Sequence, residues 1–126
     1  MATQELTAEN LESTIEGNDI VIIDFWADWC GPCKSFAPTY EAMSEKHPDL
    51  AFMKCDTEKE QMVAAQFGIR SIPTIGIFRE QILIFLQAGA LPETALEEII
   101  GKVRELDMDD VRKQAAEQEA AAANTQ

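Results

Sequence analysis

The sequence predicts an α/β domain built on a central mixed sheet of four to five strands, with helices on both faces. Three observations carry this. Two largely apolar runs, at 20–27 (β-branched and aromatic) and 50–55, are each followed by a stretch of helical periodicity. Two further apolar runs, at 74–78 and 82–86, are separated by only three residues. At 126 residues and 46% apolar, the chain is long enough for one domain with a sizeable core.

The elements follow in order. Any strand before Thr7 would be very short. From Thr7 to Ile15 the chain predicts a short helix, with Thr7 as N-cap, Leu11 and Ile15 one turn apart, and Gly17 as the stop. "IVIIDFWA" (20–27) is nearly continuous in apolar residues, as suits a central strand covered on both faces. A helix is expected from about Cys33 to Lys46, kinked at Pro38, which lacks an amide donor, and ended by "HPDL". "LAFMKC" (50–55) reads as the next strand, and "TEKEQMVAAQF" as a helix capped by Thr57 and stopped by Gly68. Two β-α-β steps then predict a parallel core with right-handed crossovers. The 74–78 and 82–86 runs are joined too closely for a parallel crossover and should form an antiparallel hairpin at the edge. Pro92 opens a helix whose Leu96, Ile99, Ile100, Val103 and Leu106 form one stripe. Residues 1–106 are therefore the domain. Residues 107–126 are an acidic, Ala-rich helical extension, with Asp107 capping a segment through Val111 and the last ten or so residues fraying.

Acids outnumber bases 23 to 10, and the bases form no run. Nucleic acid and anionic membranes both need a basic face, so neither is expected as a partner. The start, "MATQELTAEN", has no basic cluster and no apolar run, which predicts no signal peptide and a cytoplasmic chain. In that compartment a close cysteine pair points to metal binding or catalysis rather than to a structural disulfide.

The pair is Cys30 and Cys33, in "WADWCGPCKSFAP" (26–38). As inert core residues they would be odd beside Trp29, Gly31 and Pro32 at a strand-to-helix junction. As zinc ligands they would need two more donors. Cys55 and His47 complete the set on paper, but His47 lies at the far end of a helix about 20 Å long. As a dithiol they are well placed. The unpaired amides and dipole of a helix start stabilise a thiolate at Cys30. Cys33, one turn on, can then attack a mixed disulfide.

These residues resemble the thioredoxin family. "DFWADWCGPCK" (24–34) is similar to its active-site signature, "GIRSIPT" (68–74) to its second, and "AGALP" (88–92) to a third loop, in the family's order and spacing. The resemblance spans about residues 5–105. It implies a thioredoxin fold and a protein-disulfide reductase that cycles Cys30 and Cys33 between dithiol and disulfide with no bound cofactor or metal. It implies that Cys30 attacks and Cys33 resolves, Cys30 being the more exposed. Asp24, on the same strand face as Ile20, Ile22 and Trp26, should be buried. The resemblance makes it the proton acceptor for Cys33, against the simpler reading of a strand-end polar group. Lys54 is implied as its neighbour, against a surface lysine stretched along the strand. Pro73 is implied to follow a cis bond and face the disulfide, against an ordinary trans proline opening a strand. Trp29, Gly31, Pro32, Ile72, Ala88 and Gly89 would form a weakly apolar docking face for disulfide-containing clients. Electrons would come from a flavin-dependent thioredoxin reductase or a comparable donor. Cys55, on the opposite strand face from Lys54, reads as a structural cysteine rather than a regulatory thiol.

Two departures stand out. The loop "REQ" (79–81) lacks the glycine the family usually has near Gln81. The 82–86 strand is apolar on both faces although it should be the sheet's edge, so the extension or a partner, including a second copy in a weak homodimer, is expected to cover it. Otherwise a monomer is expected. Two alternatives remain at this stage: an oxidase or isomerase of the same fold, and a binding or scaffold module using the extension. Pro32, where the oxidising relatives usually carry histidine, and the retention of both cysteines weigh against them.

Overall fold

The structure, a computed structural model, describes residues 2–124; Met1, Thr125 and Gln126, the last two at the end of the expected extension, lie outside it. Its elements are β1 (Gln4–Glu5), α1 (Leu11–Gly17), β2 (Ile20–Trp26), α2 (Gly31–Lys46), β3 (Ala51–Asp56), α3 (Gln61–Gln66), β4 (Thr74–Arg79), β5 (Ile82–Ala88), α4 (Glu93–Glu105) and α5 (Met108–Asn124). Five strands form one mixed sheet in the order β1-β3-β2-β4-β5.

β2 occupies the centre because every residue from Ile20 to Phe25 is buried. Its alternating side chains feed two cores. Ile20 and Ile22 join Phe36, Tyr40 and Met43 of α2, and Leu96, Ile100 and Val103 of α4, on one face. Val21, Ile23 and Phe25 join Val63 of α3, with Leu11 and Ile15 of α1 packed alongside, on the other. Tyr40 fastens α2 to the sheet, its hydroxyl lying 2.7 Å from the Met53 carbonyl and 3.0 Å from that of Ile22.

The parallel core is smaller than expected. β2 and β3 are parallel, as are β1 and β3, but β4 runs antiparallel to β2 and is not a neighbour of β3 in the sheet. Helix length explains this. A parallel crossover must carry the chain back along the strand it has just left. The 16 residues of α2 span about 24 Å and do so; the 6 residues of α3 span about 9 Å, well short of a 6-residue strand at about 20 Å. The chain therefore re-enters the sheet near the end it left and runs the other way.

Several boundaries differ locally. α1 begins at Leu11 because Thr7 and Asn10 bond each other's amides and close a turn ahead of it. α2 begins at Gly31, so Cys30 is its N-cap and Pro32 lies in its first turn. Thr57 does not cap α3. It bonds the Trp26 carbonyl instead, and α3 starts at Gln61. Pro92 is the N-cap of α4, and Leu106, expected on the apolar stripe, lies just past its end and is exposed. Asp107 does accept from the amides of Asp109 and Asp110, but the helix it caps runs to Asn124 rather than stopping near Val111. α5 docks by its first turns through buried Met108 and leaves Leu83 (39%) and Leu86 (42%) exposed, so it does not cover the edge strand.

Candidate functional site

The site lies where β2 and β3 end and β4 begins. Trp26 closes β2, and a short turn later Cys30 caps α2. Cys30 and Cys33 form a disulfide with Cα atoms 5.3 Å apart. The Cys33 amide, an otherwise unpartnered donor of the first helical turn, points at Cys30 Sγ from 3.2 Å. A thiolate at Cys30 would keep that charge-assisted bond. Cys30 is not the more exposed cysteine in any useful sense: the two are 3% and 2% exposed. What separates them is that Cys30 lines a surface cleft of about 440 Å³ and Cys33 does not.

The opposite wall of the cleft is the segment before β4. Ile72 and Pro73 are joined by a cis peptide bond, and the Ile72 carbonyl oxygen lies 3.8 Å from Cys30 Sγ. Thr74 holds this segment by donating from Oγ1 to the Ser71 carbonyl at 2.6 Å. Gly89 adds a second tie, its amide donating to the Pro73 carbonyl at 2.8 Å with φ at 104°, a backbone state that favours glycine. Ala88 pairs with Thr74 across the sheet, which places it beside the segment. Trp29, 69% exposed, is steadied by a bond from its indole nitrogen to Glu58 at 2.6 Å.

Asp24 lies beneath this surface, fully buried on β2, and neither carboxylate oxygen has a hydrogen-bond partner among the described residues. Burial pushes its pKa up to about 7, and the opposing charge of Lys54 holds it from going higher. Lys54 sits beside it in register on β3, its ammonium 4.9 Å from the centre of the Trp26 ring. Cys55 points to the other core, where burial, with smaller contributions from Glu60 and Asp56, pushes its thiol up to about 12. It is a packing residue and poorly nucleophilic. His47 is engaged by Glu97 (2.6 Å) and by Arg104 (3.1 Å) at the far end of α2.

Residues 2–102 match the thioredoxin family model. The chain belongs to the thioredoxin family. It is 57% identical over 121 residues to "Putative thioredoxin 2" of Streptomyces coelicolor, covering 96% of this chain and 90% of that protein. It is 40% identical over 95 residues to thioredoxin 1 of Synechococcus elongatus, covering 75% and 85%. Among solved structures, a mutant thioredoxin from Halobacterium salinarum superposes with a TM-score of 0.75 at 32% identity, covering 79% of this chain and 88% of that one. Oxidised mitochondrial thioredoxin 3 of Saccharomyces cerevisiae gives 0.74 at 33%, covering 80% and 95%. The protein is a thiol–disulfide oxidoreductase that reduces protein disulfides, and its thioredoxin fold is the one the sequence implied.

The thioredoxin site brings together most of the residues expected for it. Trp29, Cys30, Gly31, Pro32 and Ile72 line one cleft. Ala88 and Gly89 do not line it and instead flank Pro73 from β5. Sequence reasoning missed Thr57, Ala64, Ile69, Arg70 and Ser71, which complete the lining, and Glu58, which anchors the indole. Arg70 and Ser71 sit inside the quoted "GIRSIPT" stretch, so the signal was present but unassigned.

Proposed function

We propose that the protein reduces client disulfides from its dithiol form, with the roles that follow. Cys30 Sγ, as thiolate, attacks one sulfur of a client disulfide; an S–S bond to the client forms and one client thiolate leaves. Cys33 then loses its proton to the Asp24 carboxylate and attacks Cys30 Sγ. The Cys30–Cys33 bond forms, the mixed disulfide breaks, and the second client sulfur leaves and takes up a proton. Two electrons pass to the client. Lys54 tunes Asp24, and Pro73 and Ile72 form the wall along which an extended client segment lies. The docking surface is the cleft between Trp29 and Ile72, with Gly31 and Pro32 in its rim and Ala88 and Gly89 beyond Pro73.

The observation that carries this reading is the Cys33 amide aimed at Cys30 Sγ, itself at the mouth of the cleft. The dithiol is the redox centre, so the reaction needs no bound cofactor or metal. A flavin-dependent reductase or similar donor restores it. No described helix is long and apolar enough to cross a membrane; we place the protein in the cytoplasm, acting as a monomer in cell redox homeostasis. Residues 107–126 are read as an appendage to a catalytic domain of 1–106. Insulin-disulfide reduction tests the core claim. Wild type should turn over, Cys30→Ser should be inactive, and Cys33→Ser should stall as a mixed disulfide. An inactive wild type would sink the reading.

A further inference from the structure

The described lining of the cleft beside Cys30 contains one charged residue, and the mechanism does not use it. Arg70 lines it, is exposed, and has no hydrogen-bond or ion-pair partner among the described residues. The other arginines are all committed: Arg79 to the carbonyls at the end of α4, Arg104 to Asp49, and Arg112 to Glu80 and Asp109. On a chain with a formal charge of -13, a free guanidinium would be expected to find a carboxylate. No acidic residue is among the described lining of the cleft, and the nearby Glu58 accepts from the Trp29 indole.

Position gives Arg70 a direction. It precedes Ile72 by two residues, and the Ile72 carbonyl faces Cys30 Sγ. A client segment lying along this wall with its cysteine at Cys30 advances about 3.3 Å per residue. A side chain about two residues from the client cysteine therefore comes within reach of the guanidinium. We infer that Arg70 is a specificity-determining residue that favours client disulfides with an aspartate or glutamate within two residues of the attacked cysteine. The inference rests on the reductase reading of the same cleft.

The protein's overall negative charge opposes acidic clients at long range. That repulsion acts mostly beyond about 8 Å and is largely screened at physiological salt, whereas a close contact with the exposed Arg70 is screened only in part and needs higher salt to lose its effect. The discrimination therefore belongs to the bound complex and appears in KM rather than kcat. A partly exposed ion pair of this kind supports about a three- to fivefold preference over a neutral residue, and about tenfold over a lysine, at low ionic strength.

The test uses full-length protein and disulfide-bridged peptides that differ only in having Asp, Asn or Lys two residues from the attacked cysteine. Reduction by dithiothreitol normalises each peptide's intrinsic reactivity. Wild type should show the lowest KM for the Asp peptide, and the preference should collapse at about 0.5 M salt. Arg70→Gln should bring the Asp-to-Lys ratio of kcat/KM close to one, Arg70→Glu should invert it, and Arg70→Lys should retain most of it. A wild-type ratio of one, or a preference that survives Arg70→Glu, overturns the assignment. Peptides reduced by dithiothreitol but by no form of the protein would instead overturn the reductase reading, and this inference with it.

Discussion

Asp24 shows how a single residue can make the chemistry legible. A carboxylate inside "IVIIDFW" violates the pattern of its strand, and the structure leaves it buried without a hydrogen-bond partner among the described residues. Because its pKa is raised from 3.8 to about 7, the folded protein binds a proton between those values that the unfolded chain has released. Stability therefore falls as pH rises from about 4 to 7 and levels off above. Asp24→Asn removes this slope. It should leave the variant more stable than wild type by a few kcal/mol at pH 8, with the two converging near pH 4, as read from urea midpoints. If Asp24 is the base of the proposed mechanism, the same change should slow disulfide reduction by about tenfold or more at pH 7, because Cys33 loses that base. The gap should narrow toward about pH 8.5, where a thiol ionises unaided. Equal rates at pH 7 would remove Asp24 from the mechanism. The cysteines and Asp24 stand out in the sequence because each is chemically out of place where it stands, whereas Pro73 is singled out only by the family resemblance. Arg70, Ser71 and Glu58 are ordinary loop residues, and only the fold brings them to the cleft.

At the scale of elements, strand and helix identities followed from periodicity, but strand direction did not. Periodicity carries no sign, and β4 took its antiparallel course because α3 is too short to return the chain. Turn chemistry was legible as an anomaly. The loop between β4 and β5 has Glu80 at φ 49° and Gln81 at φ 70°, both in the left-handed region, with neither a glycine. Two such residues in a row are what a tight hairpin of this twist requires, and side chains there are strained. Glu80 is held in place by its amide bond to the Asp19 carbonyl at 2.8 Å and by its ion pair with Arg112. Gln81 has no comparable tie among the described residues. Gln81→Gly should relieve the strain and, after allowing for the freer unfolded chain, raise stability by about 0.5–1 kcal/mol. The urea midpoint should rise at unchanged slope. A lower midpoint would mean that the glutamine side chain has a stabilising contact in solution.

Across the whole molecule, the redox site and the C-terminal helix lie at opposite ends of the sheet. Ile20, at the start of β2, pairs with Arg79 beside the hairpin, whereas Cys30 follows the end of β2, a 7-residue strand of about 23 Å. Two contacts tie the start of α5 to the hairpin end: the Arg112–Glu80 ion pair and, just ahead of the helix, the Leu106 carbonyl, which accepts from Arg79 at 3.0 Å; Met108 in its first turn is buried. Beyond Ala115 the helix is exposed through Ala123 and contributes no burial. Removing everything after Leu106 should therefore act on stability and leave the chemistry alone. Exposing the Met108 site costs about 1.5–3 kcal/mol by its buried area. The exposed Arg112 pair adds at most about 1 kcal/mol. Cutting instead after Ala115 should cost almost nothing, because Met108 and Arg112 remain. Thermal unfolding of the two truncations should separate them by several degrees, while kcat/KM for insulin reduction stays within about twofold of the full chain in both. A reductase defect in the shorter form at a temperature where it is fully folded would show that the extension reaches the redox end, against the placement of α5 at the hairpin.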